Sequence, residues 1–254
     1  MRRLLFLLVI LVTLTACTRK SEYPNIAFLL EQNPSEQQIL YSTETADSLS
    51  ADITLKVFQL PDDEKYPVIA QINDYILTKA DPAGNKSYEE LVEFNEDYKA
   101  FSEEFPGSDH RWFLHRYSGV YAWTNSTVTV MFKEEMYSGG AHQNAKTELT
   151  TFDLKTGEKL ALSDIVSDMQ SFNDLAVRHF RKERDIFPDT SLSDAGFFHP
   201  DGVFKPAENF AISESVLLLY YNNYEIAAYS EGETIVRVPL WDCIPYLNER
   251  FRFF

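Results

Sequence analysis

The pattern of apolar and polar positions becomes regular just after residue 50. Residues 53–58, ITLKVF, alternate as in a half-buried strand. Pro67 can occupy the first turn of a helix. Three isoleucines then recur at helical spacing: Ile69, Ile72 and Ile76. The segment therefore predicts a strand followed by an amphipathic helix.

The clearest helix comes next. Ser87-x-x-Glu90 is a capping box, and Pro106-Gly107 ends the pattern. Apolar residues recur between them at steps of three and four: Leu91, Phe94, Tyr98, Phe101 and Phe105. Acidic residues occupy the other face. An aromatic stripe of this kind is more typical of a face turned to the core than of a ligand site.

The remainder of the chain is predicted to form mainly strands. Residues 111–136 give two strands around a turn at Thr124-Asn125, and residues 145–154, AKTELTTFDL, give a third. Ser171-x-x-Asp174 opens a second helix, whose inward residues are Phe172, Leu175, Ala176 and Phe180. Three short strands finish the chain: NFAIS at 209–213, VLLLYY at 216–221 and TIVRVPL at 234–240. This order predicts an α+β fold with largely antiparallel sheets.

The N-terminus has the features of an export signal. Two arginines precede an apolar run from Leu4 to Val12, which is too short to be a dependable membrane span. Leu14-Thr15-Ala16-Cys17 resembles the lipobox of bacterial lipoproteins, in which the cysteine becomes the lipidated first residue. We expect a signal peptide at residues 1–16 and a lipidated N-terminus and tether at residues 17–50. The alternative is an ordinary secretory signal with a cysteine there by chance.

Charge and cysteine content narrow the class of protein. Removal of residues 1–16 takes away two arginines, so the formal net charge changes from −16 to −18 and 238 residues remain. This charge argues against binding of nucleic acid and against a polybasic membrane contact. It favours a basic partner, or solubility alone. If Cys17 carries lipid, Cys243 has no partner in the chain and is expected to be an inert core thiol.

Sequence motifs for catalysis or metal binding are not found. The five histidines lack the HExxH spacing and there is no CxxC pair, so we expect neither a metal site nor a cofactor. No GxSxG elbow indicates a serine nucleophile. A pair of catalytic carboxylates stays open, because 39 acidic residues make some pair in a cleft certain.

The stretch Tyr137-Ser-Gly-Gly-Ala-His142 follows a predicted strand. Gly139 and Gly140 allow a positive φ or a close approach of the backbone. His142 would then be aimed by a rigid turn. It can hydrogen-bond backbone groups and stabilise the turn, or it can contact a ligand.

Several motifs in this order resemble one family. They are Met136-Tyr-Ser-Gly-Gly-Ala-His142, Thr151-Phe-Asp-Leu-Lys-Thr-Gly-Glu-Lys-Leu160, Phe210-Ala-Ile-Ser213, Leu217-Leu-Leu-Tyr-Tyr221, Tyr224-Glu-Ile-Ala227 and Val236-Arg-Val-Pro239. Together they resemble the extracellular domain shared by the lysozyme-sensing anti-sigma factor RsiV and the N-terminal region of the peptidoglycan deacetylase PdaC. The likeness covers roughly residues 51–254.

The resemblance implies an α+β fold with two subdomains, a PdaC-like one at residues 51–144 and an RsiV-like one at residues 145–254. It also implies motif residues that are candidates for ligand contact: Tyr137, Gly139, Gly140, His142, Tyr224 and Glu225. Deacetylase chemistry is not expected, because in PdaC it belongs to an appended domain. Thr151-Phe-Asp-Leu154 only partly echoes a deacetylase TFDD, since leucine replaces its second aspartate.

We therefore expect a non-catalytic envelope lipoprotein that binds a lysozyme-type protein or peptidoglycan. A peptidoglycan hydrolase and a structural or assembly lipoprotein are the alternatives. Because Thr18 rather than aspartate follows the cysteine, the expected location in a Gram-negative cell is the outer membrane, on its periplasmic side.

Overall fold

A computed structural model of the chain describes residues 23–32, 38–43, 50–80 and 86–252. The strands are β1 Gln38–Ser42, β2 Asp52–Val57, β3 Phe113–Trp123, β4 Thr127–Tyr137, β5 Asn144–Asp153, β6 Lys159–Leu160, β7 Phe210–Ile212, β8 Val216–Tyr221 and β9 Thr234–Pro239. The α-helices are α1 Ile26–Gln32, α2 Pro67–Ala80, α3 Lys86–Glu104, α4 Leu162–Ile165, α5 Met169–Glu183 and α6 Leu240–Cys243. Within these ranges the strands form two sheets, of order β1 to β6 and β7 to β9. Only β2 and β3 pair in parallel, so the predicted α+β class is confirmed.

The N-terminal core lies between one face of the six-stranded sheet and helices α2 and α3. The three isoleucines of α2 are fully buried there, as predicted. On α3, Leu91 and Tyr98 are buried, while Phe94 and Phe101 pack against the ring of Trp112. Phe105 was expected on the same stripe but is 52% exposed, because the helix ends at Glu104.

The residues before β2 contribute to this core, whereas their pattern indicated a tether. Ile26 and Leu29 of α1 are buried among the core residues. Strand β1 adds antiparallel to the edge of β2. These two elements are short, and their apolar positions show no sustained period, so local pattern did not reveal them. Residues 44–49, and Cys17 with the signal peptide, lie outside the described residues.

The C-terminal core lies between the three-stranded sheet and α5. All four inward residues predicted for this helix are buried: Phe172, Leu175, Ala176 and Phe180. The helix starts earlier than predicted, because Asp168 is the N-cap and its Oδ1 accepts from the Ser171 backbone N–H at 3.0 Å. Hydrogen bonds from Ser171, and to a lesser extent from Gln170, lower the pKa of Asp168. Cys243 is fully buried, and burial raises the pKa of its thiol to about 12.

The two sheets meet along β5. This strand pairs with β4 over its length, so the six-stranded sheet continues past the expected subdomain boundary at residue 144. The change from the N-terminal to the C-terminal hydrophobic core comes later in the chain, between Leu154 and Leu162. A small cluster joins the sheets, with four buried members: Leu149, Ala211, Leu218 and Tyr220.

Two asparagines bond the backbone of β5 where no neighbouring strand covers it. Asn209 accepts from the Leu149 N–H at 2.6 Å and donates to the Thr147 carbonyl at 2.9 Å. Asn222 accepts from the Thr147 N–H at 2.7 Å and donates to the same carbonyl at 3.0 Å. The amides take the place of a strand and satisfy backbone groups that burial would leave unpaired. They hold the loops around residues 209 and 222 against the N-terminal sheet.

Candidate functional site

The glycine pair forms the tip of the hairpin between β4 and β5. Gly139 has φ of +83°, and a Cβ there would lie 3.1 Å from Nε1 of Trp112. Gly140 has no positive φ, and a Cβ on it would meet only the His142 carbonyl, at 3.9 Å. The left-handed residue of this turn is thus Gly139, and Gly140 serves no comparable requirement.

His142 is exposed and joins the turn to a loop far away in the sequence. Its Nδ1 lies 3.1 Å from the Gln143 carbonyl, which can only accept, so Nδ1 carries a proton and donates. In the neutral ring, Nε2 then accepts from the hydroxyl of Tyr224 at 3.0 Å. The imidazole also stacks on the ring of Tyr229, with centroids 3.7 Å apart and planes at 11°. Tyr229 donates its hydroxyl to the same Gln143 carbonyl at 2.9 Å.

The loop that carries Tyr224 has an unusual backbone. Tyr224 has φ of +66°, a conformation rare for residues other than glycine, and its side chain is 56% exposed. Glu225 helps to shape the loop, because its carboxylate accepts from the Asn222 N–H at 2.8 Å. Tyr224 thus stands out from the surface with its ring accessible. We call His142, Tyr224 and Tyr229 the aromatic cluster.

Tyr137, another motif residue, has different partners. Its hydroxyl lies 2.9 Å from Nδ1 of His110, and its ring stacks with the cross-strand neighbour Phe113 at 6.1 Å. The structure therefore brings His142 and Tyr224 together, and it places Glu225 in the same loop. Gly139 and Gly140 belong to the turn that carries His142.

A cleft of about 620 Å³ opens beside the aromatic cluster. It lies between β5, residues 198–209 and residues 221–226. Its volume is typical of small-molecule sites. Its apolar lining includes Leu149, Phe198, Tyr221 and Ile226, and its polar lining includes Lys146, Glu148, Lys205, Glu208, Asn209, Asn222 and Glu225. Phe198 is 53% exposed, and its N–H donates to the Ile226 carbonyl.

His199 lies in the wall of this cleft but is itself buried. Its ring packs edge-on against Phe180 and Tyr221 and lies 5.2 Å from the ring of Phe204. Among the described residues its Nε2 has no hydrogen-bond partner. Burial lowers the pKa of His199, so the ring is held neutral.

Of the motif residues singled out from the sequence, Glu225 lines the cleft, but sequence reasoning missed its other residues. Phe198 and His199 belong to FFHPDG, residues 197–202, where adjacent aromatics precede a proline-glycine turn. This is a weak local signal, and their place opposite β5 depends on the packing of the two sheets.

Two further findings concern the part of the chain that the structure describes. No helix there is long and apolar enough to span a membrane. Likewise, no group of three or more histidine, cysteine, aspartate or glutamate side chains is arranged to hold a metal ion.

Comparison with known families gives two matches. Residues 161–240 match the family described as "Protein of unknown function (DUF3298)". Residues 161–240 are thus similar to this family. This region holds Phe198, His199 and Tyr224, whereas His142 lies before it. Residues 1–18 match a prokaryotic membrane lipoprotein lipid attachment site, which supports lipid anchoring in the cell envelope.

One known protein is similar to part of this chain. Over 123 residues the chain is 27% identical to the peptidoglycan-N-acetylmuramic acid deacetylase PdaC of Bacillus subtilis (strain 168). The match covers 46% of this chain and only 25% of that protein. The predicted likeness to PdaC is confirmed, whereas the likeness to RsiV stays a prediction.

Two crystal structures of DUF3298 family proteins share the fold. One, from Bacteroides fragilis NCTC 9343, has a TM-score of 0.64 at 19% identity and covers 85% of this chain and 92% of its own. The other, from Pseudomonas aeruginosa PAO1, has a TM-score of 0.56 at 15% identity and covers 85% of this chain and 93% of its own. At these identities the likeness concerns the fold.

Proposed function

We propose that the protein is a non-catalytic, lipid-anchored envelope protein that binds peptidoglycan glycan at the cleft and its aromatic rim. The observation that carries the proposal is a cleft of about 620 Å³ that is lined by the exposed ring of Phe198 and by Asn222 and Glu225, whose loop also carries the exposed ring of Tyr224. Sugar rings present apolar faces that pack on aromatic rings, and their hydroxyl and amide groups need hydrogen-bond partners. Glu208 and Glu225 provide such polar groups at the cleft.

Two other findings support this ligand class. The lipid attachment site at residues 1–18 would place the chain on a membrane that faces the cell wall. The related PdaC is named for its action on peptidoglycan. In a Gram-negative cell we place the protein at the outer membrane, on the periplasmic side, with Cys17 as the anchor.

A basic lysozyme-type protein is the second candidate partner, and the formal charge of −18 without the signal peptide favours it. Exposed acidic residues on α3 would attract such a partner: Glu89, Glu93, Glu96 and Asp97. Attraction by charge predicts an association rate that falls as ionic strength rises from about 0.01 M to 0.15 M, because the Debye length falls from roughly 30 Å to 8 Å. Glycan binding through ring stacking predicts little change over that range.

The test uses the unlipidated chain, residues 18–254, with purified sacculi and with a panel of lysozymes. We expect the chain to sediment with sacculi, and the double variant Tyr224→Ala/Phe198→Ser to lose about thirtyfold in affinity, since each of the two stacked rings contributes on the order of 1 kcal/mol. Trp241→Ala is the control, because Trp241 is 72% exposed but neither lines the cleft nor belongs to a loop that lines it. Equal loss in both variants would contradict the cleft as the site. Release of soluble wall fragments would instead indicate a hydrolase.

A further inference from the structure

A second cavity, of about 380 Å³, lies on the helix-covered face of the six-stranded sheet. Its floor includes a row of three residues in register across β3, β4 and β5: Arg116, Glu134 and Lys146. Lys79, near the end of α2, and Glu90, in α3, line its walls. We call this cavity the charged groove.

Most charges of the groove are paired with one another. Arg116 Nε donates to Glu134 at 2.6 Å, and its Nη1 lies 3.3 Å from Glu90. Lys79 donates to both carboxylate oxygens of Glu148 at 2.8 Å. Lys146 differs, because within the described part of the chain no carboxylate lies within ion-pair distance of its ammonium. The groove therefore offers one unpaired cation beside three engaged carboxylates.

Two more lysines border the groove without adding charge to it. Lys56 and Lys133 are aligned with Tyr117 in the neighbouring row of the sheet. Strand alternation turns that row to the opposite face. There Lys133 pairs with Glu135 at 2.7 Å. The side chains that face the groove are thus three cations and three carboxylates, in a chain whose formal charge is −16.

The charged groove and the cleft adjoin across the edge of β5. Lys146 and Glu148 line both cavities. A ligand that occupies the cleft can therefore continue over β5 into the groove without leaving the surface. The unpaired ammonium of Lys146 lies at the crossing.

We propose that the charged groove binds a short peptide attached to the glycan in the cleft, one that carries both carboxylate and ammonium groups. The inference rests on the proposed function and names the second half of its ligand. A groove with balanced charges does not favour a polyanion, but its alternating signs complement a zwitterionic chain. Lys146 would receive a peptide carboxylate, and the exposed carboxylate edges of Glu134 and Glu148 would receive an ammonium group.

The experiment compares two probes by calorimetry on the unlipidated chain. One is a muramyl glycan fragment that bears a peptide with free carboxylate and ammonium groups, and the other is the same glycan without the peptide. The variants are Lys146→Gln, Lys146→Arg and the control Lys205→Gln, whose site lines only the cleft. Because Lys146 is exposed, we expect its substitution to leave the fold intact. Equal melting temperatures of the variants and the unmodified chain will check this.

We expect the unmodified chain to bind the peptide-bearing probe about tenfold more tightly than the bare glycan, as one charge-assisted hydrogen bond would give. Lys146→Gln should abolish this preference, measured as the ratio of the two affinities in the same variant, while Lys146→Arg and Lys205→Gln keep it. A preference that persists in Lys146→Gln would overturn the inference. Binding of bare glycan with no preference in the unmodified chain would overturn it too and leave the proposed function standing. If neither probe binds, both fail.

Discussion

His142 Nε2 and the Tyr224 hydroxyl lie 3.0 Å apart although 82 positions separate them in the chain. One belongs to the hairpin tip of the N-terminal sheet, and the other belongs to the stretch at residues 161–240 that is similar to the DUF3298 family. Both side chains are exposed, so their hydrogen bond adds little to stability, on the order of 1 kcal/mol or less. The hydrogen bond instead orients the rings of His142 and Tyr224 relative to each other, next to the loop that lines the cleft.

The backbone of Tyr224 gives the first prediction. A left-handed φ of +66° costs a tyrosine or an alanine roughly 1 kcal/mol or more, and glycine adopts it without strain. We therefore expect Tyr224→Gly to be more stable than Tyr224→Ala by about 1 kcal/mol, as measured by urea unfolding. Both variants should lose affinity for sacculi, because both lack the ring. A more stable alanine variant would argue against the left-handed conformation.

The glycine pair gives the second prediction. Gly139→Ala should lower the free energy of unfolding by about 1–3 kcal/mol, because it forces a positive φ on alanine and brings its Cβ to 3.1 Å from Trp112. Gly140→Ala is the matched control and should cost less than about 0.5 kcal/mol, since neither constraint applies. Thermal unfolding of the two variants separates these expectations. Equal losses would show that the turn depends on both glycines.

Local pattern predicted most of the elements, because burial imposes a period that a single segment displays. The inward faces of α2 and α5 follow from it, and so do strands β2 to β5 and β7 to β9. The start of α5 does not follow from local pattern. Asp168 and Ser171 are both residues that favour an N-cap, and only the geometry shows that the aspartate fills the position.

The site could be predicted only in part. The motif resemblance singled out His142 and Tyr224, but no local signal shows that they touch. Their contact depends on how the two sheets pack through Leu149 and Tyr220. The same holds for Phe198, since its position opposite β5 is a property of the assembled fold.

The asparagine bridges to β5 give the third prediction. Asn209→Ala removes the acceptor of the Leu149 N–H, and Asn222→Ala removes that of the Thr147 N–H. Each variant leaves a backbone donor without its partner, so we expect each to cost about 1–3 kcal/mol in urea unfolding. Asn144→Ala is the control, because Asn144 is exposed at the start of the same strand. Losses no larger than the control's would mean that water replaces the amides.

The lipid attachment site gives the fourth prediction. Cys17→Ala removes the thiol that would receive the lipid, so the precursor should stay unprocessed by the lipoprotein pathway and unlabelled by a fatty-acid probe. Cys243→Ala serves as the control, because Cys243 is fully buried and should leave labelling unchanged. Continued labelling of the Cys17 variant would refute the anchor.

The buried ring of His199 gives the fifth prediction. Burial lowers its pKa in the folded chain, while the unfolded chain has the ordinary value of about 6.5. Between these two values the unfolded state binds more protons than the folded state, so stability rises with pH in that window. The free energy of unfolding should therefore fall as the pH drops below about 6.5. His179 contributes in the same direction, because burial lowers its pKa as well.

The substitution His199→Phe tests this origin of the pH dependence. Phenylalanine keeps a ring against Phe180, Phe204 and Tyr221 but cannot take up a proton. It also removes the Nε2 atom that has no partner among the described residues, so we expect the variant to be as stable as the parent at about pH 7.5. Urea unfolding at about pH 7.5 and pH 5 should show a smaller loss of stability in the variant, with the remaining loss due to His179. An unchanged loss would mean that the folded chain already admits water to His199 and that the ring is not held neutral by burial.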